Sequence, residues 1–393
     1  MKNKNSIVTK LIIVGGLGVL LAVLLVLKTN VAICEFFATT FARGWIWLTG
    51  HLLGWIPISF YELFLIVAIS GLIICIVFIV RYFCKHKPKQ AVSLLLTVVI
   101  VALCGVNLYT ATASFSYDRE PLPKEIVSSY SGDDLPYEQA LAIANYVVDQ
   151  VNELYESTSH DEDGNVIMPS LAELNDLLRE EYKRLSNVGD GYFSSFTPNA
   201  KGILNKRIMS EMHVAGVFFA PFGESNVNVT RIDVYTPSTM AHELAHAKGI
   251  MRESDANTVS VYLLLTSQNP YLRYSGYVYV MQSALSMVSA YRDSDTDYFA
   301  LRNRVNRGVF AELSNYSKHW SQYTLLDDIG EFFNNIYLKL QGQTDGTGSY
   351  VKPPVIEWTG EKDEDGNEIG VVINFSNIQN VLINLYKQGK LCN

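Results

Sequence analysis

The chain has 393 residues, a formal net charge of −8, 49% hydrophobic residues and 18% charged ones. A soluble globular chain usually carries about 25% charge, so part of this one is apolar and nearly uncharged. That part is residues 1–108, with nine Lys/Arg and two acids; the rest holds 22 basic and 37 acidic residues, a balance of −15. An acidic domain of this size buries a full core and repels phosphate backbones, which excludes disorder, a disulfide scaffold and a nucleic-acid partner.

Three apolar runs, 11–27, 63–80 and 91–108, approach the length that crosses a hydrocarbon core of about 30 Å. Lys2, Lys4 and Lys10 precede the first; Arg81, Lys85, Lys87 and Lys89 separate the second and third. The positive-inside rule puts both basic clusters in the cytoplasm. The expected architecture is a membrane domain over 1–110 with three transmembrane helices, N-terminus cytoplasmic, and an extracytoplasmic domain over 111–393. The stretch 36–60, with Phe36, Phe37, Trp45, Trp47 and Trp55, reads as an interfacial helix or re-entrant piece on the outer face, or as an apolar loop packed on the spans. Of five cysteines only Cys392 falls in the outer domain, so neither an intradomain disulfide nor a thiolate metal cluster can form there.

Past the linker prolines Pro121 and Pro123, residues 136–158 place Leu, Ile and Val at helical spacing. A Ser-x-x-Glu box at Ser170 and Glu173 opens a second helix to 186, and a third is expected from Pro198 to about 211. The runs 214–219 and 226–234 read as strands around the turn 221–224. Two helices follow Pro237, separated near Gly249, and helix continues intermittently over 276–340. A hairpin is expected from 355–358 and 370–375, then a helix over 376–390. The string DEDGN occurs at 161–165 and 363–367; its glycine is fourth, not the sixth residue a calcium loop requires, so both are read as solvated turns.

Residues 242–257 read H-E-L-A-H-A-K-G-I-M-R-E-S-D-A-N. His242 and His246, four apart, project from one helix face at a spacing that shares a zinc ion, and Glu243 beside them is placed as a general base. Glu253 is the expected third ligand. On an unbroken helix it would lie about 10 Å from His246 along the axis, so Gly249 must end the first helix. Asp255 and Glu224 are the rival third ligands. Asn257 or Asp255 can orient a ligand imidazole, Glu224 can meet a substrate amine or cap its turn, and His213 reads as a core histidine. Tyr274 and Tyr277 are candidates to donate to an oxyanion, and Arg273 to anchor a carboxylate.

This string resembles the signature of the domain-of-unknown-function 3810 family of bacterial membrane proteins. The likeness extends to 216–228 (GVFFAPFGESNVN), 273–277 (RYSGY) and 345–350 (DGTGSY). Asp255 stands where that family is expected to have Glu, and 351–374 looks like an insertion. The motif is also similar to that of the gluzincin metallopeptidases, in which His, His and the later Glu bind zinc, although those enzymes separate the two halves further. Together the residues and the resemblance imply a mainly α (α+β), zincin-like outer domain with a small sheet. The implied activity is that of a membrane-anchored zinc metallopeptidase acting on peptide or protein substrates of the cell envelope, at the outer side of the cytoplasmic membrane. The alternative is a non-catalytic, peptidase-like binding or signalling module.

Overall fold

A chain in hydrocarbon must satisfy its backbone N–H and C=O groups internally, which turns uncharged runs into helices. The computed structural model describes residues 2–291, 295–341, 343, 355–358 and 371–392. It opens with α1 (Lys2–Leu27), followed by α2 (Val31–Phe36) and α3 (Arg43–Leu53), which a π-helical segment, Phe37–Ala42, joins into one unit. Next come α4 (Phe60–Cys84) and α5 (Pro88–Thr112). α1, the 31–53 unit, α4 and α5 are each long and apolar enough to cross a membrane.

Side-chain contacts set the directions of these helices. Lys10 Nζ donates to Ser93 Oγ and Thr97 Oγ1 at 2.9 and 2.6 Å, Asn107 Nδ2 donates to Leu17 O at 3.3 Å, and Leu24 and Leu27 pack on Phe115. α1 and α5 therefore run parallel, and the tight turn after Cys84 makes α4 antiparallel to α5. α4 begins at the end of the bundle where α1 finishes, so the 31–53 unit leaves and returns at that same end. One of its faces is buried through Cys34, Ala38, Ala42, Ile46 and Thr49. The other exposes Phe36, Phe41, Trp47, Leu48 and Leu52. Trp45 Nε1 donates to Pro221 O at 3.0 Å, and Arg119, just past α5, makes a two-pronged pair with Glu35 at 2.6 and 3.0 Å.

The chain past α5 is mainly helical. α6 (Tyr137–Ser157) buries Ala140, Ile143, Ala144, Val147, Val148, Val151 and Leu154, the expected helical stripe. α7 (Leu171–Leu185) starts from the expected capping box: Glu173 accepts from Ser170 N–H at 2.8 Å, and Glu173 N–H donates to Ser170 Oγ at 3.3 Å. The helix expected from Pro198 is shorter. β1 (Lys201–Gly202) takes its first residues into a sheet, and α8 (Lys206–Glu211) begins only where the Asn205 side chain caps Ile208 N–H. β2 (Gly216–Phe219) and β3 (Glu224–Val227) follow. The strand expected over 226–234 ends at 227, because Asn228 Oδ1 accepts from Thr230 N–H and its hydroxyl and turns the chain away. The sheet order is β1-β3-β2, with β1 parallel and β2 antiparallel to β3.

α9 (Thr236–Ala247), α10 (Glu253–Leu265) and α11 (Pro270–Ser289) pack together. Gly276 lets α11 approach α10, since a Cβ there would lie 2.8 Å from Leu264 Cβ. Beyond them lie α12 (Asp295–Arg304), α13 (Arg307–Trp320) and α14 (Asp327–Leu340). The expected hairpin forms as β4 (Val355–Trp358) against β5 (Val371–Asn374), and α15 (Asn377–Lys387) closes the core with Val381, Leu382 and Leu385. Asp161 Oδ1 accepts from the N–H groups of Asp163 and Asn165, a solvated Asx turn as expected. The second DEDGN string lies outside the described residues.

Candidate metal centre

The stop signal of α9 creates the centre. Gly249 adopts φ +80°, its N–H donates to His246 O at 2.9 Å, and Ile250 N–H donates to Ala245 O at 3.2 Å. These are the two bonds of a Schellman cap, which a left-handed glycine permits without steric cost. The chain turns back, and α10 opens at Glu253 beside α9 rather than beyond it.

His242 and His246 have ring centroids 4.7 Å apart and planes at 89°. Glu253 Oε2 lies 3.0 Å from His242 Nε2 and 3.6 Å from His246 Nε2, and one donor atom from each residue falls within 4.8 Å of the others. The far imidazole nitrogens are held from behind. His242 Nδ1 meets Asn257 Oδ1 at 2.8 Å, and His246 Nδ1 meets Ile250 O at 2.7 Å. Carbonyl oxygens only accept, so each ring carries a proton on Nδ1 and leaves Nε2 as the atom that faces Glu253, a donor to a metal when that nitrogen is unprotonated. Burial raises the Glu253 carboxyl, but the adjacent imidazoles, His246 foremost, outweigh it and hold the group well below the usual carboxylate range.

The Glu243 side chain meets the sheet. A Cβ on Gly216 would lie 2.6 Å from Glu243 Oε1, so any larger residue at that place in β2 displaces the Glu243 side chain. Ser225 Oγ donates to Glu243 O at 2.8 Å and ties α9 to β3. Glu243 Oε2 is buried with no hydrogen-bond partner among the described residues. Burial pushes its carboxyl up to about 8, with His242 opposing and Glu253 adding to the rise. An orphaned buried oxygen of this kind costs roughly 1–3 kcal/mol, and a water held beside it removes that cost. The donor set fits a zinc ion: two imidazoles and a carboxylate are the three protein donors of a catalytic zinc site, which would keep its fourth position for solvent. The four residues are only 5–9% exposed.

The other candidates are placed as follows. Asn257 is the residue behind His242. Asp255 Oδ2 instead pairs with Arg252 Nε at 2.7 Å. Glu224 faces away: it pairs with Lys201 Nζ at 2.9 Å and accepts from the N–H groups of Phe60 and Tyr61 at the start of α4. Tyr274 OH donates to Glu312 at 2.6 Å and ties α11 to α13, while Arg273 bonds Gln150 and Tyr277 packs on Tyr146 in the α6–α11 packing. His213 is exposed, not the core histidine expected, and its Nε2 bonds Tyr323 O at 2.5 Å. Sequence reasoning missed the Ile250 carbonyl, Gly216, and Gln343, whose Oε1 accepts from Glu253 N–H at 3.3 Å. The first two carry a signal only in retrospect, one as the residue after the capping glycine and the other as a glycine opening a strand.

A mainly helical chain with apolar N-terminal helices and a buried His, His and Glu cluster defines the class to which this protein is compared. The chain belongs to the family described as "Protein of unknown function (DUF3810)", which it matches over residues 37–355. No curated protein and no solved structure gives a match.

Proposed function

We propose that the chain is a membrane-anchored zinc metallopeptidase working at the outer face of the cytoplasmic membrane. The observation that carries this reading is the orphaned Glu243 Oε2 beside three converging donors whose far atoms are already held. A zinc ion bound by His242, His246 and Glu253 would polarise a substrate carbonyl and acidify water. Glu243 takes the proton of the attacking water at Oε2. It then delivers that proton to the leaving nitrogen as the peptide C–N bond breaks and the water oxygen joins the carbonyl carbon. β2, on the sheet edge next to Glu243, offers its backbone to an extended substrate.

The topology proposed with it has three spans, α1, α4 and α5, with the 31–53 unit lying along the outer membrane surface. The same-end return of that unit and its domain-facing polar contacts support this reading. A non-catalytic module remains the rival, and the near-complete burial of the four side chains favours it. The full chain purified in detergent distinguishes the two. About one zinc per chain, retained in Glu243→Gln and lost in His246→Ala, together with peptide hydrolysis abolished by Glu243→Gln, is expected. Zinc without hydrolysis of any peptide pool supports the rival.

A further inference from the structure

We infer that the substrate is a polypeptide tethered by its own transmembrane helix and cut in the extended segment next to that helix. The inference takes its chemistry from the peptidase reading above and adds where the substrate comes from.

β2 runs from the centre to the membrane helices. Gly216, at one end, touches Glu243. The Phe218 ring lies 6.0 Å from that of His246. Phe219, at the other end, lies 5.2 Å from both Tyr61 and Phe64 in the first turns of α4, and Phe222 lies 5.9 Å from Phe64. Three residues at about 3.3 Å each make the whole run roughly 10 Å. Met251 and Ala220 also pack with Ala113 and Tyr117 just past α5, and Arg119 donates to Gly249 O at 3.3 Å. The plane is marked further by Trp47 and Trp55, exposed aromatics of the kind that settle at headgroup level. A substrate on β2 thus lies within one short strand of the bilayer.

The strand is open for pairing. Asn228 N–H donates to Ala215 O, so the antiparallel alternation bonds 215 to 228, 217 to 226 and 219 to 224. That turns the backbone groups of Gly216 and Phe218 to the outer edge, where no strand pairs with them among the described residues. Below that edge, α4 has no buried residue among those described, and Leu63, Phe64, Ile66 and Val67 are all exposed. A second apolar helix can lie along α4 while its flanking chain continues up β2. A short strand supplies only a few backbone bonds, each worth about 1 kcal/mol net, so tethering in the membrane plane, which raises the effective concentration, makes so small a platform sufficient.

The test uses the full chain in liposomes with four synthetic pools of randomised tails. The tails are joined directly to a Leu/Ala transmembrane helix, joined to it through a spacer of about 25 residues, joined to a palmitoyl chain, or left free. Cleavage is mapped by mass spectrometry. In parallel, Glu243→Gln carrying a photo-crosslinking residue at Phe218 reports binding whether or not the chain hydrolyses anything. We expect the directly joined pool to be cut at least tenfold faster than the free one, within about ten residues of the helix, and to crosslink correspondingly more. Equal cleavage of free tails overturns the inference while leaving the peptidase reading intact. Preference for the palmitoyl pool, or for the pool with the spacer, overturns it as well. Crosslinking of the helix-joined pool without cleavage upholds the docking and removes the peptidase. Neither cleavage nor crosslinking overturns the inference.

Discussion

At the scale of single residues, the carboxylates around the centre differ by what each one faces. Glu253 faces two imidazoles, Asp255 faces Arg252, and Glu224 faces Lys201. Zinc titration of single variants should rank them accordingly. Glu253→Ala removes one of three donors and should abolish tight binding. Asn257→Ala frees His242 Nδ1 and should cost about ten- to a hundredfold in affinity, the usual effect of losing the group behind a ligand imidazole. Asp255→Ala and Glu224→Ala should leave zinc affinity within a few-fold of the parent. Tight zinc binding by Glu253→Ala would reassign the third donor. The histidines and Glu253 were legible because metal chemistry constrains donor type and spacing together. The tyrosines were not: 23 of them share one three-letter name, and only packing reveals that Tyr274 serves Glu312 instead of the centre.

At the scale of elements, the break between α9 and α10 was legible because no other geometry brings Glu253 back to His246, and Gly249 was the residue able to make it. The strand ends were not, because they depend on partners distant in sequence. Lys201–Gly202 is a strand only because Asn226 and Val227 lie beside it, and nothing local to Pro198 says so. Gly249→Ala tests the break. Its φ of +80° costs an alanine on the order of 1 kcal/mol, and the added Cβ would sit 3.5 Å from Arg119 Nη1, an ordinary contact. The strain acts on the turn that sets α10 against α9. A thermal midpoint lowered by a few degrees and a weaker zinc affinity should therefore appear together. Loss of stability with unchanged affinity would show that the turn and the centre are independent.

At the scale of the whole molecule, the apolar helices and the chain beyond them meet through buried polar groups, which composition alone could not foretell. The proposed orientation rests on charge asymmetry, and thiols test it. Cys84, at the end of α4, and Cys392, past α15, are both exposed. A membrane-impermeant maleimide on intact cells should label Cys392 and spare Cys84 until the membrane is opened; the reverse pattern inverts the topology. The junction itself rests on Lys201. Its Nζ donates to Leu53 O and Ile58 O at 3.1 Å each and pairs with Glu224 at 2.9 Å, with both side chains almost wholly buried. Glu224 in turn caps the first N–H groups of α4. Glu224→Ala strands a buried ammonium and uncaps the helix, a loss of about 3–5 kcal/mol for the broken pair. In detergent the thermal midpoint of the full chain should fall steeply while zinc content stays at the parental level. Adding Lys201→Met removes the stranded charge and should recover most of the loss, though not the part due to the uncapped helix and the released loop. If the double variant is no more stable than Glu224→Ala, the pair is not what joins the two halves, and the backbone contacts of the 31–53 unit carry the junction instead.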